Sequence, residues 1–428
     1  MPENSKMGCP YSRGCLHLEV VSALKGEVTK SVSTSKFRSG LVVLQFSISI
    51  GLMISCGVVN NQIDFALSKS LGFDPNNVVT VDLSNAQAMQ AFQSMKDQLM
   101  AESNILSISA GSIIPTQSLS DGSGFTRPEG NIETTIATRR VSVSDDYFDT
   151  LGMRFVAGRA LSDDYATDAM PAIGVENREV NGGVVFNETA ARAAGWENPQ
   201  DAIGQELYSE FGFSGLSFRM NYSVVGVVND AHYGSVRTEI GPVSYTLNDQ
   251  RNVMIIKIAE GSLPESLAAI DSVWQQFVPD FPISRGFLNE SYSAFYAGEH
   301  RTFILFMGFA AIAVLVACLG LYGLASFMAE LRTKEISIRK VLGATARSLA
   351  GMLAWDFSKL VILANLIASP TAWWLMQDWL TSFAYRTDIN FTIFLLAGLA
   401  TFMMALLTTF QRAYSAAMSN PVDALRAE

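Results

Sequence analysis

Long apolar runs without charge alternate along this chain with mixed polar stretches, and the contrast divides it before any motif is sought. Four runs contain no Asp, Glu, Lys or Arg: residues 39–63, 302–329, 360–377 and 391–411. A helix rising 1.5 Å per residue needs roughly 20 such residues to cross a hydrocarbon core about 30 Å thick. The pattern therefore predicts four transmembrane helices. Residues 1–38 precede the first, 64–300 lie between the first and second, 330–358 between the second and third, and 412–428 follow the fourth. As a helix the second run would reach roughly 42 Å, more than the core needs. The first meets no helix breaker beyond Asn61 as far as Leu67. Both are expected to continue outward as a stalk.

The intervening 64–300 region reads as mixed helix and strand. Short β-branched or apolar runs at 78–83, 184–186, 222–228 and 253–258 predict strands, while 86–100 and 263–277 carry apolar residues at helical spacing. Two short helices are punctuated at their ends. Ser144, followed by Asp145 and Asp146, suits a helix start and Gly152 a left-handed exit, with a strand expected at 153–156. Asn187 can cap a second helix running to Ala194, closed by Gly195. Residues 114–131, rich in Gly, Ser and Pro, predict an exposed loop or an insertion boundary.

Composition and charge then assign sides. The 428 residues are 49% hydrophobic and only 16% charged, against roughly 25% charged in soluble domains. A cytosolic globular protein, a disordered chain, a disulfide scaffold and a basic nucleic-acid binder are all disfavoured. From Asn61 to His300 there are 14 Lys plus Arg against 30 Asp plus Glu, a net of −16, whereas the whole chain is −10, leaving +6 elsewhere. Lys6, Arg13, Lys25, Lys30, Lys36 and Arg38 precede the first run, and Arg332, Lys334, Arg339, Lys340 and Arg347 lie between the second and third. The loop before the fourth holds only Arg386. The positive-inside rule predicts cytoplasmic termini and an external acidic domain. That domain has no cysteine, so it depends on its own core.

Candidate chemistry is sparse. No phosphate-binding Gly-x-x-x-x-Gly-Lys-Ser/Thr loop, His-Glu-x-x-His, Gly-x-Ser-x-Gly or Cys-x-x-Cys occurs, so the chain is expected to be no enzyme and to bind no cofactor or metal. Cys9, Cys15 and His17 offer three irregularly spaced ligands where a structural site needs four. His232, two residues after Asp230, reads as part of a turn after a strand, with catalysis the remote alternative. The four runs hold no ionisable side chain, which argues against an ion-coupled transporter. Ser47, Gly51 and Ser55 share one face of the first run, and Ala313 and Ala317 one face of the second. Such spacing lets membrane helices approach closely, within the four-helix unit or between two subunits. Pro370 predicts a kink in the third, and Trp373, Trp374 and Trp379 an interfacial aromatic belt.

Between the second and third runs, residues 329–345 read AELRTKEISIRKVLGAT. On a helix, Ile338, Val341 and Leu342 form an apolar stripe and Glu335 and Arg339 stand at i and i+4. Gly343 can end that helix and Thr345 can cap the next. By amphipathicity alone it is an interfacial helix whose basic residues touch membrane lipid.

The stretch TKEISIRKVLGA closely resembles the signature of the FtsX-like permeases, the MacB-type membrane subunits of ABC transporters. Similar stretches are Arg38 through Phe46, Leu71-Gly72-Phe73-Asp74, Asp146-Tyr147-Phe148 with Leu151-Gly152-Met153 and Gly158-Arg159, Asn187 through Ala191 with Gly195-Trp196, and Val224 through Asp230. The resemblance implies an integral membrane α-helical protein with four transmembrane helices and a mixed α/β extracytoplasmic core domain of the MacB periplasmic type. Residues 302–428 would be the FtsX-like permease domain, in the bacterial inner membrane, with 64–300 periplasmic. It implies a cytoplasmic ABC ATPase that binds the ATP, a second permease half or a homodimer, and room for a periplasmic adaptor. Lys334, Glu335, Ile336, Arg339, Lys340 and Gly343 would then form the element that couples to the ATPase. Ala-Leu-Lys-Gly-Glu at 23–27 echoes Ala-Leu-Arg-Ala-Glu at 424–428, and residues 1–18 do not resemble the family, so the chain resembles the second half of a tandem permease. Export of a substrate, regulation of an envelope enzyme without transport, and a membrane-anchored sensor are the readings to separate.

Overall fold

The computed structural model describes residues 16–117, 121–128, 135–169, 179–213, 216–248 and 251–418. The paired motif at 424–428, Cys9 and Cys15 lie outside the described residues. In chain order the elements are α1 (Leu16–Ser68), β1 (Val78–Asp82), α2 (Ala86–Leu99), β2 (Ile105–Gly111), β3 (Gly122–Phe125), β4 (Ile136–Val143), α3 (Tyr147–Thr150), β5 (Phe155–Gly158), β6 (Glu179–Asn187), α4 (Glu188–Ala193), β7 (Glu206–Phe213), β8 (Leu216–Val228), β9 (Val243–Leu247), β10 (Val253–Ile258), α5 (Leu263–Phe277), β11 (Arg285–Phe287), α6 (Leu288–Ala294), α7 (Ala297–Leu331), α8 (Thr333–Val341), α9 (Ala346–Leu380) and α10 (Phe391–Met418). They divide into two compact units. One holds the chain up to Asn61 with Thr302–Trp379 and the chain from Asp388, and the other holds Gln62–Arg301 with Leu380–Thr387.

Among the described residues, four helices are long and apolar enough to cross a membrane: Phe37–Ser68, Ala297–Leu331, Arg347–Leu380 and Phe391–Gln411. The first does run past Asn61, to Ser68. The third begins well before its apolar run, because Thr345 accepts the Ser348 amide at 3.2 Å and no proline stands between them and Leu360. The helix therefore carries Asp356 and Lys359, which the charge-free run leaves out, and it continues through Pro370.

Within the helical unit, small residues set the close approaches. Gly57 faces Ile393, Gly320 faces Gln45, and Gly398 lies directly against the Asn365 amide, so a methyl group at any of them would collide with a neighbouring side chain. Ser47 donates to the Ala364 carbonyl at 3.3 Å. Ala317 is fully buried and Ala313 half-buried. Ser55 bonds back to the Gly51 carbonyl at 2.9 Å, and nothing lies within 4 Å of where a Gly51 side chain would begin.

The other unit is built on an eleven-stranded sheet ordered β11-β1-β10-β2-β4-β9-β6-β8-β5, with β3 added to β4 and β7 to β8. Pairing is antiparallel except at β4·β9 and β6·β8. Two cores cover it. In one, α2 and α5 lay Phe92, Met95, Ile270, Val273 and Trp274 on β1, β2 and β10. Their apolar residues recur at helical spacing, and Asn85 caps α2 by accepting the Ala88 amide at 2.7 Å. In the other, Ala190 and Ala191 of α4 and Trp196 pack on Phe186, Val184, Tyr222 and Val224. Where the two halves meet, β2 pairs with β4 only through Gly111 and Val143. Phe148 there packs edge-on against Tyr245 and Phe155, with ring centroids 5.1 and 5.0 Å away.

Asn187 caps α4 as expected, accepting the Ala190 amide at 2.9 Å, and Gly152 and Gly195 take positive φ. Three local expectations change. Ser144 does not cap α3; its hydroxyl instead accepts the Ala110 amide at 2.9 Å, which ties β2 to the segment after β4. The strand expected at 153–156 is displaced to Phe155–Gly158, where β8 supplies the pairing edge. Part of the 114–131 loop is strand β3, held by β4. In each case a partner outside the segment itself decides the outcome.

Candidate functional site

The site singled out by sequence lies in the helical unit, where α7 passes through Arg332 into α8 and then, after a short turn, into α9. The α8 helix closes through Leu342 N to Ile338 O at 3.1 Å and Ala344 N to Arg339 O at 3.0 Å. Gly343 follows at φ +96°, a conformation that side-chain-bearing residues adopt only under strain. The chain thus reverses within one turn.

Ile336 anchors the helix. It is 4% exposed and packs against Leu349, Ala350 and Leu353 on the first turns of α9. Arg332 bonds Asp356 at 3.1 Å, and Lys359 bonds the same carboxylate at 2.9 Å. Glu335 and Arg339 pair at 2.6 Å along the helix, and Arg339 also reaches the Met352 sulfur at 2.8 Å. Ile338, Val341 and Leu342 are 53%, 68% and 80% exposed. The predicted apolar stripe is therefore turned outward, and the seat of the helix is Ile336, its neighbour Ser337 being buried as well.

The candidate coupling residues are brought together on one short helix and its exit: Glu335 and Arg339 as a half-exposed pair, Ile336 beneath, and Lys340 and Gly343 at the end. Lys334 belongs to the same helix. The candidate helix-packing residues Ser47, Gly51, Ser55, Ala313 and Ala317 lie elsewhere, on α1 and α7. The ion triad of Arg332, Asp356 and Lys359 was not picked out from the sequence. Its signal is an acid and a base three residues apart just ahead of an apolar run. Among the described residues no group of His, Cys, Asp and Glu could hold a metal ion. What α8 presents is apolar side chains and a charged pair on a firmly seated helix.

This helix, with α9, α10 and most of α7, lies inside residues 307–419, which match the model of the FtsX-like permease C-terminal family. The match begins in α7 and takes in α8, α9 and α10. Permeases of this family are membrane components of ABC-type systems and generally work with a cytoplasmic ABC ATPase. A search of curated proteins found no match. Among solved structures, a domain assigned to a permease protein of Porphyromonas gingivalis is similar at 16% identity and a TM-score of 0.30, over 50% of this chain and 90% of that one.

Proposed function

We propose that this chain is the membrane permease subunit of an ABC-type complex, in which a separate cytoplasmic ATPase docks on α8 and drives a change in an external domain. The carrying observation is that the region matching the permease family contains a short helix which is seated by the buried Ile336 and Ser337 yet displays three large apolar side chains. An exposed apolar patch beside a charged pair marks a contact surface. Glu335, Ile336, Arg339, Lys340 and Gly343, with Lys334, would make up the coupling element. Lipid is the competing occupant for such a helix.

The proposed arrangement has the chain in the bacterial inner membrane, both termini cytoplasmic and residues 64–300 periplasmic. Charge supports it, since the acidic domain and the basic segments fall on opposite sides. The grouping of Leu380–Thr387 with Gln62–Arg301 supports it too, because four spans put the first and third connections on the same side. A subunit of this kind burns no fuel itself and transmits work done on it.

Mild-detergent purification of the full chain should bring down an ABC ATPase. The double variant Glu335→Ala, Arg339→Ala should remain inserted while ATP-driven changes in the external domain are lost. Recovery of no ATPase, or coupling unaltered in the double variant, would reject the reading.

A further inference from the structure

The link between α9 and α10 is not a bare surface loop. Leu380 and Phe383 are 1% and 4% exposed. Ala384 donates its amide to the Arg237 carbonyl and Tyr385 to the Val236 carbonyl, both at 3.1 Å. Gln62 then grips the backbone a second time. Its Nε2 donates to the Tyr385 carbonyl at 3.0 Å, and its Oε1 accepts the Thr387 amide at 2.9 Å. The Tyr385 ring lies 4.0 Å from the Lys69 ammonium and meets the His232 ring edge-on at 5.0 Å. Arg237 stacks over Phe383 at 4.4 Å and bonds Glu299 at 2.7 Å.

The groups that hold the link are themselves tied together. The Val236 amide donates to the Tyr296 hydroxyl at 3.0 Å. Tyr296 and Tyr292 share a hydroxyl contact at 3.3 Å, and Tyr292 donates to the Ala66 carbonyl at 3.2 Å. The end of α1, the 232–237 turn, the α6–α7 junction and the 380–387 link thus form one network inside the sheet unit. Gln62 is 1% exposed, and burying an amide is costly unless both its halves are bonded. Here both halves are spent on the link. A connection that served only to join two helices would be expected to leave its backbone to water.

We infer that residues 380–387 are a strap that fastens the α9–α10 connection to the external unit, making it a non-covalent attachment point besides the chain passages at Gln62 and Arg301. The strap deepens the permease reading and rests on it for what it transmits: displacement of α9 and α10 is passed to the external unit directly. Lys69, His232 and Gln62 are its positioning residues.

The test uses the full chain in nanodiscs with its co-purified ATPase, following amide hydrogen exchange with and without Mg-ATP. In the unaltered chain the Ala384, Tyr385 and Thr387 amides should be protected like neighbouring strands. Gln62→Leu should make them exchange roughly tenfold faster, as expected when a locally fastened segment opens. It should also remove most of the ATP-dependent change in the external unit while ATP hydrolysis continues. Lys69→Met, which leaves no buried group unpaired, should act in the same direction more weakly and guards against misfolding of the first variant. Free exchange of the three amides in the unaltered chain overturns the strap. So does a loosened strap with the external response intact. Absence of any ATP response in the unaltered chain overturns the permease reading, and the strap's transmitting role with it.

Discussion

Asp168 is fully buried and both its oxygens are occupied: Arg159 reaches them at 2.5 and 3.0 Å, and the Ser162 amide adds a bond at 3.1 Å. The hydrogen bond to Asp168 raises the Arg159 pKa above its ordinary value. Asp168→Ala should cost about 1–3 kcal/mol, since donors arranged around the carboxylate lose their acceptor, and a lowered denaturation midpoint of the purified chain would register it. His232 makes the second prediction at this scale. Burial, followed by the nearby Lys69 charge, holds its pKa down to about 4 against the usual 6.5, with Asp230 acting in the opposite sense. A neutral imidazole in the folded state means that the unfolded chain binds more protons between those values. Stability from His232 is thus complete above about pH 6.5 and declines as pH falls toward 4. His232→Asn should flatten that part of a melting-temperature profile. Little of this was legible: His232 follows an acidic residue at turn spacing, but the ring that covers it comes from Tyr385.

Elements were more readable, because their signals are local. Residues 253–258 and 263–277 become β10 and α5 over the same spans, each from its own periodicity. Asn187 was readable as a cap, yet it does more than cap. Its side chain also accepts the Val243 amide at 2.8 Å and donates to the Gly241 carbonyl at 3.0 Å. Asn187→Ala should therefore cost about 2 kcal/mol, the upper end for a cap, measured by denaturation and by faster exchange in β9. For α8 the expectations separate seat from surface. Ile336→Ala should destabilise the α8–α9 turn by about 2–5 kcal/mol, seen as local loss of exchange protection. Glu335→Ala should change stability by no more than about 0.5 kcal/mol, because an exposed i,i+4 pair contributes little. An effect of Glu335→Ala on ATP coupling would then belong to the contact it makes, not to the fold. The amphipathic pattern announced α8, but which of its apolar residues face inward depended on the α9 residues opposite.

At the scale of the whole molecule, the proposed topology has a direct test. Single cysteines at the exposed positions Glu102 and Arg386 should react with a membrane-impermeant maleimide in intact cells, and one at Thr345 only after permeabilisation. The native Cys56 and Cys318, in apolar helices, and Cys9 and Cys15, ahead of the first span, give the background to subtract. Labelling at Thr345 alone in intact cells would invert the arrangement. The result for Arg386 also bears on the strap, which requires it to share a side with Glu102.

By itself the sequence determined the four apolar helices, the acidic mixed domain between the first two, and the short amphipathic helix with its glycine exit and the Thr345 cap of the helix that follows. Those features follow from charge-free length, from residue periods and from end chemistry, all of which act over a few turns of chain. Only the tertiary structure decided that Ile336 is the seat of α8, that Ser144 serves β2 and not α3, and that Gln62 holds the backbone at Tyr385 and Thr387. Each of these depends on which distant group occupies the space beside a side chain. Local pattern carries no record of such neighbours, because hydrogen bonds and buried contacts are satisfied by proximity in space.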